Sequence, residues 1–281
     1  MRMRHFFLTG YNKSGTTFLQ MLLDGHPQIN CPPEHHIQSI FNFVQKFDES
    51  YLPVVRSIDA RTANQGVRFQ SQRLFNVVLR AIVTELMEVD APPSTLLCGL
   101  NDNLLFLNLQ FFSSLFPDAR FVYIVRDPRE AAVSLWYHLE RTEPQRTVGR
   151  QIDSLVPGVA KAWRESVESA IQFRNSSPRS NALITVRYED FVGLDRVAYL
   201  QKVLQFLDVD DAPGLVESLF ERNSLDNLRK RNQSSSGDKS FFRSGKSDTW
   251  RTELTPEAVK MLEAECAREL ALMGYELSDM N

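Results

Sequence analysis

Residues Gly10-Tyr11-Asn12-Lys13-Ser14-Gly15-Thr16-Thr17 combine the groups that an anion site needs. Two glycines let the backbone wrap closely around a ligand, Lys13 brings a full positive charge, and Thr16 and Thr17 bring hydroxyl donors. An apolar run precedes the segment and a helical pattern follows it. That order aims the free N–H groups and partial positive charge of a helix N-terminus at the same anion. Nucleotide-hydrolysing phosphate loops read GxxxxGK[ST], with lysine directly after the second glycine. Here Thr16 stands in that place and Lys13 lies two positions before Gly15, so the lysine reaches a ligand from the loop. The plainer alternative is a glycine turn that carries a basic surface residue.

A second anion-binding pattern follows the run Phe121–Val125, in Arg126-Asp127-Pro128-Arg129-Glu130. Asp127 is a good helix N-cap, Pro128 suits the first helical position, and Glu130 completes a capping-box pattern. Arg126 then stands at the carboxyl end of a strand, where ligands of parallel sheets collect. Ser134 lies about two turns into the helix, on the side that can face the same pocket. Arginine suits bidentate contact with phosphate; a structural ion pair to an acidic residue is the alternative. A nucleotide hydrolase would present an aspartate at this strand tip to hold magnesium. Here Arg comes first, and Asp127 is taken up as a cap.

A base candidate lies between the two motifs, in Cys31-Pro32-Pro33-Glu34-His35-His36. Glu34 is a carboxylate in a proline-stiffened loop, a short way along the chain from the phosphate loop. His35 and His36 are the competing bases, because histidine titrates near neutrality. Adjacent histidines rarely share one zinc ion, so a metal site is not expected.

These residues need a scaffold. Four apolar runs, His5–Thr9, Thr95–Cys98, Arg120–Val125 and Ala182–Val186, read as buried parallel strands. Helical patterns separate them. Thr16–Asp24 follows the first strand and stops at His26-Pro27. Apolar stripes run along Leu74, Val78, Ala81, Ile82 and Leu86, along Trp163, Val167, Ala170 and Ile171, and along Val197, Leu200, Leu204 and Leu207. A last helix has Thr255 as N-cap and Pro256 in its first turn. It turns Val259, Leu262, Cys266, Leu270 and Met273 inward and ends at Gly274. Alternating strands and helices predict a single P-loop-like three-layer α/β/α domain over residues 1–281 with a central parallel sheet. The Ser-, Gly- and charge-rich stretch 232–246 reads as a long loop.

Composition narrows the function classes. The chain has 281 residues, of which 43% are hydrophobic and 24% charged, an ordinary globular balance. A formal net charge of −3 gives no global reason to expect nucleic acid as a partner. Cys31, Cys98 and Cys266 form no CxxC pair, which fits a reducing compartment better than a disulfide framework. The N-terminal apolar run reads as a strand and not a signal peptide. No apolar segment approaches the ~20 residues of a membrane helix. The expectation is therefore a soluble cytoplasmic protein of undetermined oligomeric state.

Lys13-Ser14-Gly15-Thr16-Thr17 resembles the 5′-phosphosulfate loop of the sulfotransferases that use 3′-phosphoadenosine 5′-phosphosulfate (PAPS), and Tyr123 to Trp136 resembles their 3′-phosphate motif. Arg187-Tyr188-Glu189-Asp190 resembles a strand end whose tyrosine lies near adenine. Phe242-Arg243-Ser244-Gly245, with Trp250-Arg251 downstream, resembles a C-terminal cofactor loop in which Ser244 replaces a lysine. The resemblance runs from residue 6 to about 275 and leaves 40–95 unmatched. It implies PAPS as cosubstrate without a metal. The implied cofactor contacts are Lys13, Ser14, Gly15, Thr16, Thr17, Arg126, Ser134, Tyr188, Arg243, Ser244 and Gly245. The loop after His26-Pro27 is similar to that of the tyrosylprotein branch, which makes Glu34 the implied base and Lys13 its catalytic partner. One departure stands out: related enzymes carry a lysine after the second strand, where this chain has Asn101. Lys13 alone, or with His36, Lys239 or Lys246, would have to replace it. The acceptor stays open among small molecules, carbohydrate, lipid and tyrosine, with segments 35–75, 140–158 and 232–249 as candidates for its pocket. A nucleotide kinase and a non-catalytic nucleotide-binding protein of the same fold are the rival readings.

Overall fold

The computed structural model of the chain describes residues 3–34, 36–61, 71–224, 227 and 248–278. Strand β1 (Arg4–Thr9) leads through the glycine loop into helix α1 (Thr16–Asp24). Then come β2 (Ile29–Asn30) and two long helices, α2 (Ile37–Arg61) and α3 (Ser71–Glu88). They are followed by β3 (Leu97–Asn101), α4 (Leu109–Leu115), β4 (Arg120–Val125) and α5 (Pro128–Thr142). The rest comprises α6 (Val156–Ser176), β5 (Leu183–Arg187), α7 (Tyr188–Val192), α8 (Arg196–Leu207), α9 (Pro213–Arg222), α10 (Trp250–Glu253) and α11 (Pro256–Leu272).

The five strands are parallel in the order β2-β3-β1-β4-β5. From β1 the chain runs to β2 at the sheet edge, returns to β3 beside β1, and then crosses to β4 on the other side. Strand order therefore reverses beside β1, and the crevice at such a reversal is where open parallel sheets bind ligands. The glycine loop leaves β1 at that point. Successive strand residues feed opposite faces. Phe7, Cys98, Phe121 and Tyr123 pack into one core with helices α3, α4, α6 and α11. Phe6, Leu8, Val122 and Ile124 pack into another with α1, α8 and α9. Each such side chain contributes roughly 1.5–3 kcal/mol when fully buried, so the strand tips are held from both sides. The expected three layers and parallel sheet are borne out. Among the described residues no helix is long and apolar enough to cross a membrane.

Several boundaries differ from the sequence reading for local reasons. The strand expected at Thr95–Cys98 lies at Leu97–Asn101. Gly99, just past the expected end, is inside it: a Cβ there would sit 2.2 Å from the Phe6 ring, so the glycine permits close packing between β1 and β3. Strand β5 starts one residue later than expected, because Ala182 belongs to a 3-10 turn. Strand β2 is only two residues long and carries no periodic signal. On α3 the most deeply buried row is Leu79, Val83 and Met87, flanked by Val78, Ile82 and Leu86, while Ala81 is exposed. Two adjacent apolar rows fit a 3.6-residue period there, and contact with the sheet selects between them. The inward rows of α6, α8 and α11 are as expected. So are the Thr255 cap, which accepts from Ala258 N–H, and the left-handed Gly274 at φ 74°.

Candidate active site

The glycine loop is built for an anion. Gly15 caps α1 in the left-handed region at φ 92°, and no acidic residue occupies the first turn. A Cβ at Gly15 would lie 2.3 Å from the Tyr188 ring, and one at Gly10 would lie 2.1 Å from the Ile124 carbonyl oxygen. The loop thus threads a gap between the end of β4 and the start of α7 that only glycine fits. Ser14 Oγ is fully buried and has no hydrogen-bond partner among the described residues. A buried hydroxyl left unsatisfied costs about 1–3 kcal/mol, and an anion in the loop removes that cost. Lys13 is held at φ 68°, a left-handed conformation that costs a side-chain-bearing residue roughly 1–2 kcal/mol. Strain of this kind concentrates at functional sites. Burial, and next the positive field of Arg141, pushes the Lys13 ammonium down to about 8, while Glu34 pulls the other way.

Arg126 closes the opposite wall. Its guanidinium lies 4.4 Å from the Tyr188 ring centroid, donates to the Lys13 carbonyl oxygen at 3.3 Å, and stands 3.5 Å from Glu130 Oε2. It therefore bridges the two expected phosphate motifs, with a weak ion pair besides. Asp127 caps α5 by accepting from Arg129 N–H. Glu130 does not complete the capping box. Its carboxylate accepts from Trp250 N–H at 3.0 Å and from Thr249 Oγ1 at 3.1 Å, and the Asp127 N–H donates to Glu189 Oε1 instead. Glu189 also accepts from Tyr275 Oη at 2.8 Å. Two carboxylates thus tie the C-terminal segment to the tip of β4, a role that local helix chemistry did not predict. Arg129 is buried between Asp127 and Glu263 and is structural. Ser134 is half-buried on α5.

The base loop meets the phosphate loop through β3. Asp102, 1% exposed, accepts from Ile37 N–H at 2.6 Å and Leu104 N–H at 2.8 Å, which pins the start of α2 to the β3 tip. Asn103 donates through Nδ2 to Glu34 Oε2 at 3.2 Å, and its Oδ1 accepts from Thr16 Oγ1 at 2.7 Å. The Thr16 hydroxyl proton is thus directed to Asn103, which leaves the backbone N–H of Thr16 at the helix end. Burial and the neighbouring Asp102 push the Glu34 carboxyl above its ordinary range, against the pull of the Asn103 backbone N–H and of His36 and Lys13. A carboxylate raised in this way is a better base near neutrality.

Other expected residues fall differently. Asn101, which stands where related enzymes carry lysine, is 2% exposed and its Oδ1 has no partner among the described residues. Asn103, and not Asn101, holds Glu34. His36 is exposed. His35, Lys239, Arg243, Ser244, Gly245 and Lys246 lie outside the described residues. The sequence reading missed Asp102 and Asn103, although the rule that ligands gather past strand ends points to them. It also missed His138 and Arg141, near the end of α5, where Arg141 Nη2 donates to His138 Nδ1 at 3.3 Å. Among the described residues no cluster of His, Cys, Asp or Glu suits a metal ion.

A family model described as "Sulfotransferase family" matches residues 5–213. The chain belongs to the sulfotransferase family. The matched span contains both phosphate motifs, the Glu34 loop and Tyr188. Zebrafish protein-tyrosine sulfotransferase 1 is 23% identical over 204 residues, which cover 72% of this chain and 52% of the relative. The Drosophila melanogaster protein-tyrosine sulfotransferase is 24% identical over 276 residues, 96% of this chain and 51% of the relative. The chain thus spans about half the length of these two relatives. Its fold matches that of mouse sulfotransferase SULT7A1 complexed with PAP, with a TM-score of 0.62, 16% identity, and coverage of 96% of this chain and 84% of that one.

Proposed function

We propose that the chain transfers a sulfuryl group from PAPS to an acceptor hydroxyl or amine, with Glu34 as the base. The observation that carries this reading is the hydrogen-bonded series Thr16–Asn103–Glu34, which sets a carboxylate of raised basicity beside the phosphate loop. The acceptor oxygen or nitrogen forms a bond to sulfur as the bridging S–O bond to the 5′-phosphate breaks. The acceptor proton goes to Glu34, and adenosine 3′,5′-bisphosphate (PAP) leaves. Lys13 and the N–H groups of α1 neutralise the charge that grows on the departing phosphate. Arg126 and Ser134, with Arg243, take the 3′-phosphate, and Tyr188 stacks beside Arg126 at the adenine side.

The family resemblance and the names of the two curated relatives make the phenol of a tyrosine the first acceptor to try, with carbohydrate, lipid and small alcohols or amines behind it. A kinase reading fits less well. The carboxylates at the strand tips are already engaged: Asp102 holds two backbone N–H groups, and Asp127 caps α5 and pairs with Arg129.

The test is transfer of label from PAPS to a panel of acceptors, by wild type and by Glu34→Gln. Transfer by the wild type that falls by about 10²–10⁴-fold in the variant, with PAP binding intact, supports the reading. Equal rates in both proteins would remove Glu34 from the role.

A further inference from the structure

The end of β3 leaves a chemical gap. Sulfuryl transfer moves negative charge onto the leaving phosphate while three non-bridging oxygens carry the sulfuryl group's own charge, and fixed cations placed against such oxygens position the group and lower the barrier. At the tip of β3 the side chains are Asn101, which is buried, Asp102, which holds Ile37 and Leu104, and Asn103, which holds Glu34. None carries positive charge. Arg126 is engaged under Tyr188 and against the Lys13 carbonyl.

Helix α5 offers a cation from another direction. Ser134, His138 and Arg141 are spaced four and then three apart, so they share one face of the helix. All three are half-buried. The Arg126 end of α5 meets the Lys13 backbone. Toward its other end, the ammonium of Lys13 lies within electrostatic reach of both Arg141 and His138. The Lys13 charge thus feels both the Glu34 carboxylate and the Arg141 guanidinium. Two like charges brought together in a half-buried place repel each other, and the repulsion disappears when an anion lies between them.

His138 completes the arrangement. Its Nδ1 accepts from Arg141 Nη2 at 3.3 Å, so that nitrogen carries no proton and the ring is neutral. Burial, and then the fields of Lys13 and Arg141, favour that neutral form, opposed by Glu143. The contact orients a guanidinium, whose planar fork suits the oxygens of a tetrahedral oxyanion.

We propose that Arg141, oriented by His138, contacts the transferring sulfuryl group and supplies the positive charge that no residue at the end of β3 provides. This rests on the sulfotransferase reading above. Arg141 is then a catalytic residue and His138 a positioning residue.

The test compares PAPS with PAP, which lacks the sulfuryl group, and needs no acceptor. Binding of each ligand is measured for wild type, Arg141→Gln, Arg141→Lys and His138→Ala. The slow hydrolysis of PAPS is followed in parallel. There water forms the new S–O bond, the bridging S–O bond breaks, and PAP, sulfate and a proton are released. Arg141→Gln is expected to keep wild-type affinity for PAP, which also shows that it folds. It should weaken PAPS about tenfold or more and slow hydrolysis by about 10²–10³-fold. Arg141→Lys should recover part of both losses, and His138→Ala should show the same pattern at smaller size. A wild-type ratio of PAPS to PAP affinity together with a wild-type hydrolysis rate in Arg141→Gln overturns the proposal. Equal weakening of both ligands also overturns it, since that places Arg141 on the nucleotide. If wild type itself fails to bind PAP, the sulfotransferase reading falls, and this inference falls with it.

Discussion

Asn103 donates to Glu34 at 3.2 Å while accepting from Thr16 at 2.7 Å, so one neutral side chain joins the candidate base to the first residue of the phosphate-binding helix. A hydrogen bond to the ionised form of a carboxyl favours that form. Asn103→Ala removes the side-chain bond, keeps the contribution of the Asn103 backbone N–H, and should raise the Glu34 pKa a little further. The acid limb of kcat/KM for sulfuryl transfer then moves to higher pH, while PAP affinity stays near wild type. A pH–rate profile checks this, and an acid limb that does not move detaches Asn103 from the base.

If Lys13 acts as proposed, its ammonium must be charged, and burial pushes it down to about 8 in the free protein. The sign is that charge is present below about 8 and lost as pH rises through it, so kcat/KM should fall above that value. The limb of kcat should lie higher, because a bound phosphate favours the ammonium. Lys13→Ala should lower turnover more than PAP affinity and abolish this limb. A loss of affinity with unchanged turnover would make Lys13 a docking residue only.

Arg126 and Ser134 are assigned to the 3′-phosphate. Arg126→Ala and Ser134→Ala should each weaken PAP more than adenosine 5′-monophosphate. A charge-assisted contact is worth roughly 1.5–3 kcal/mol, so the Arg126 variant should show the larger gap. Calorimetric titration of both nucleotides measures it. Equal losses would place the two residues elsewhere on the ligand.

Glu189 is a structural prediction. It accepts from Asp127 N–H at 3.0 Å and from Tyr275 Oη at 2.8 Å. Glu189→Ala strands both donors and should destabilise the fold by about 1–3 kcal/mol per group left unsatisfied. Tyr275→Phe removes one donor and should cost about 1 kcal/mol. Denaturant titration separates the two, and a Glu189→Ala protein as stable as wild type contradicts the bridging role.

What could be read in the sequence was what depends on neighbours along the chain. The strand before Gly10, the helix after Gly15, the Asp127 and Thr255 caps and the inward row of α11 all follow from local spacing, and they are where spacing puts them. Lys13, Glu34 and Arg126 were visible because their types are rare at such positions. What escaped depends on contacts between distant segments. Asn103 meets Glu34 across 69 positions, and Glu130 meets Trp250 across 120. Gly99 fell outside the expected strand because its need for close approach comes from Phe6 on another strand. Arg141 fell inside the candidate acceptor segment 140–158, but nothing near it in sequence shows that its charge acts on Lys13.

The central claim is that the two anion sites bind a nucleotide with phosphates at both its 3′ and 5′ ends. Thermal unfolding of the protein with PAP, with adenosine 5′-monophosphate and with ATP plus magnesium tests it without knowledge of the acceptor. At a concentration of about 100 times its dissociation constant, a ligand stabilises by about 2.7 kcal/mol. PAP should produce a shift of that order, well above the other two. Stabilisation by ATP and magnesium that equals or exceeds that of PAP would contradict the account.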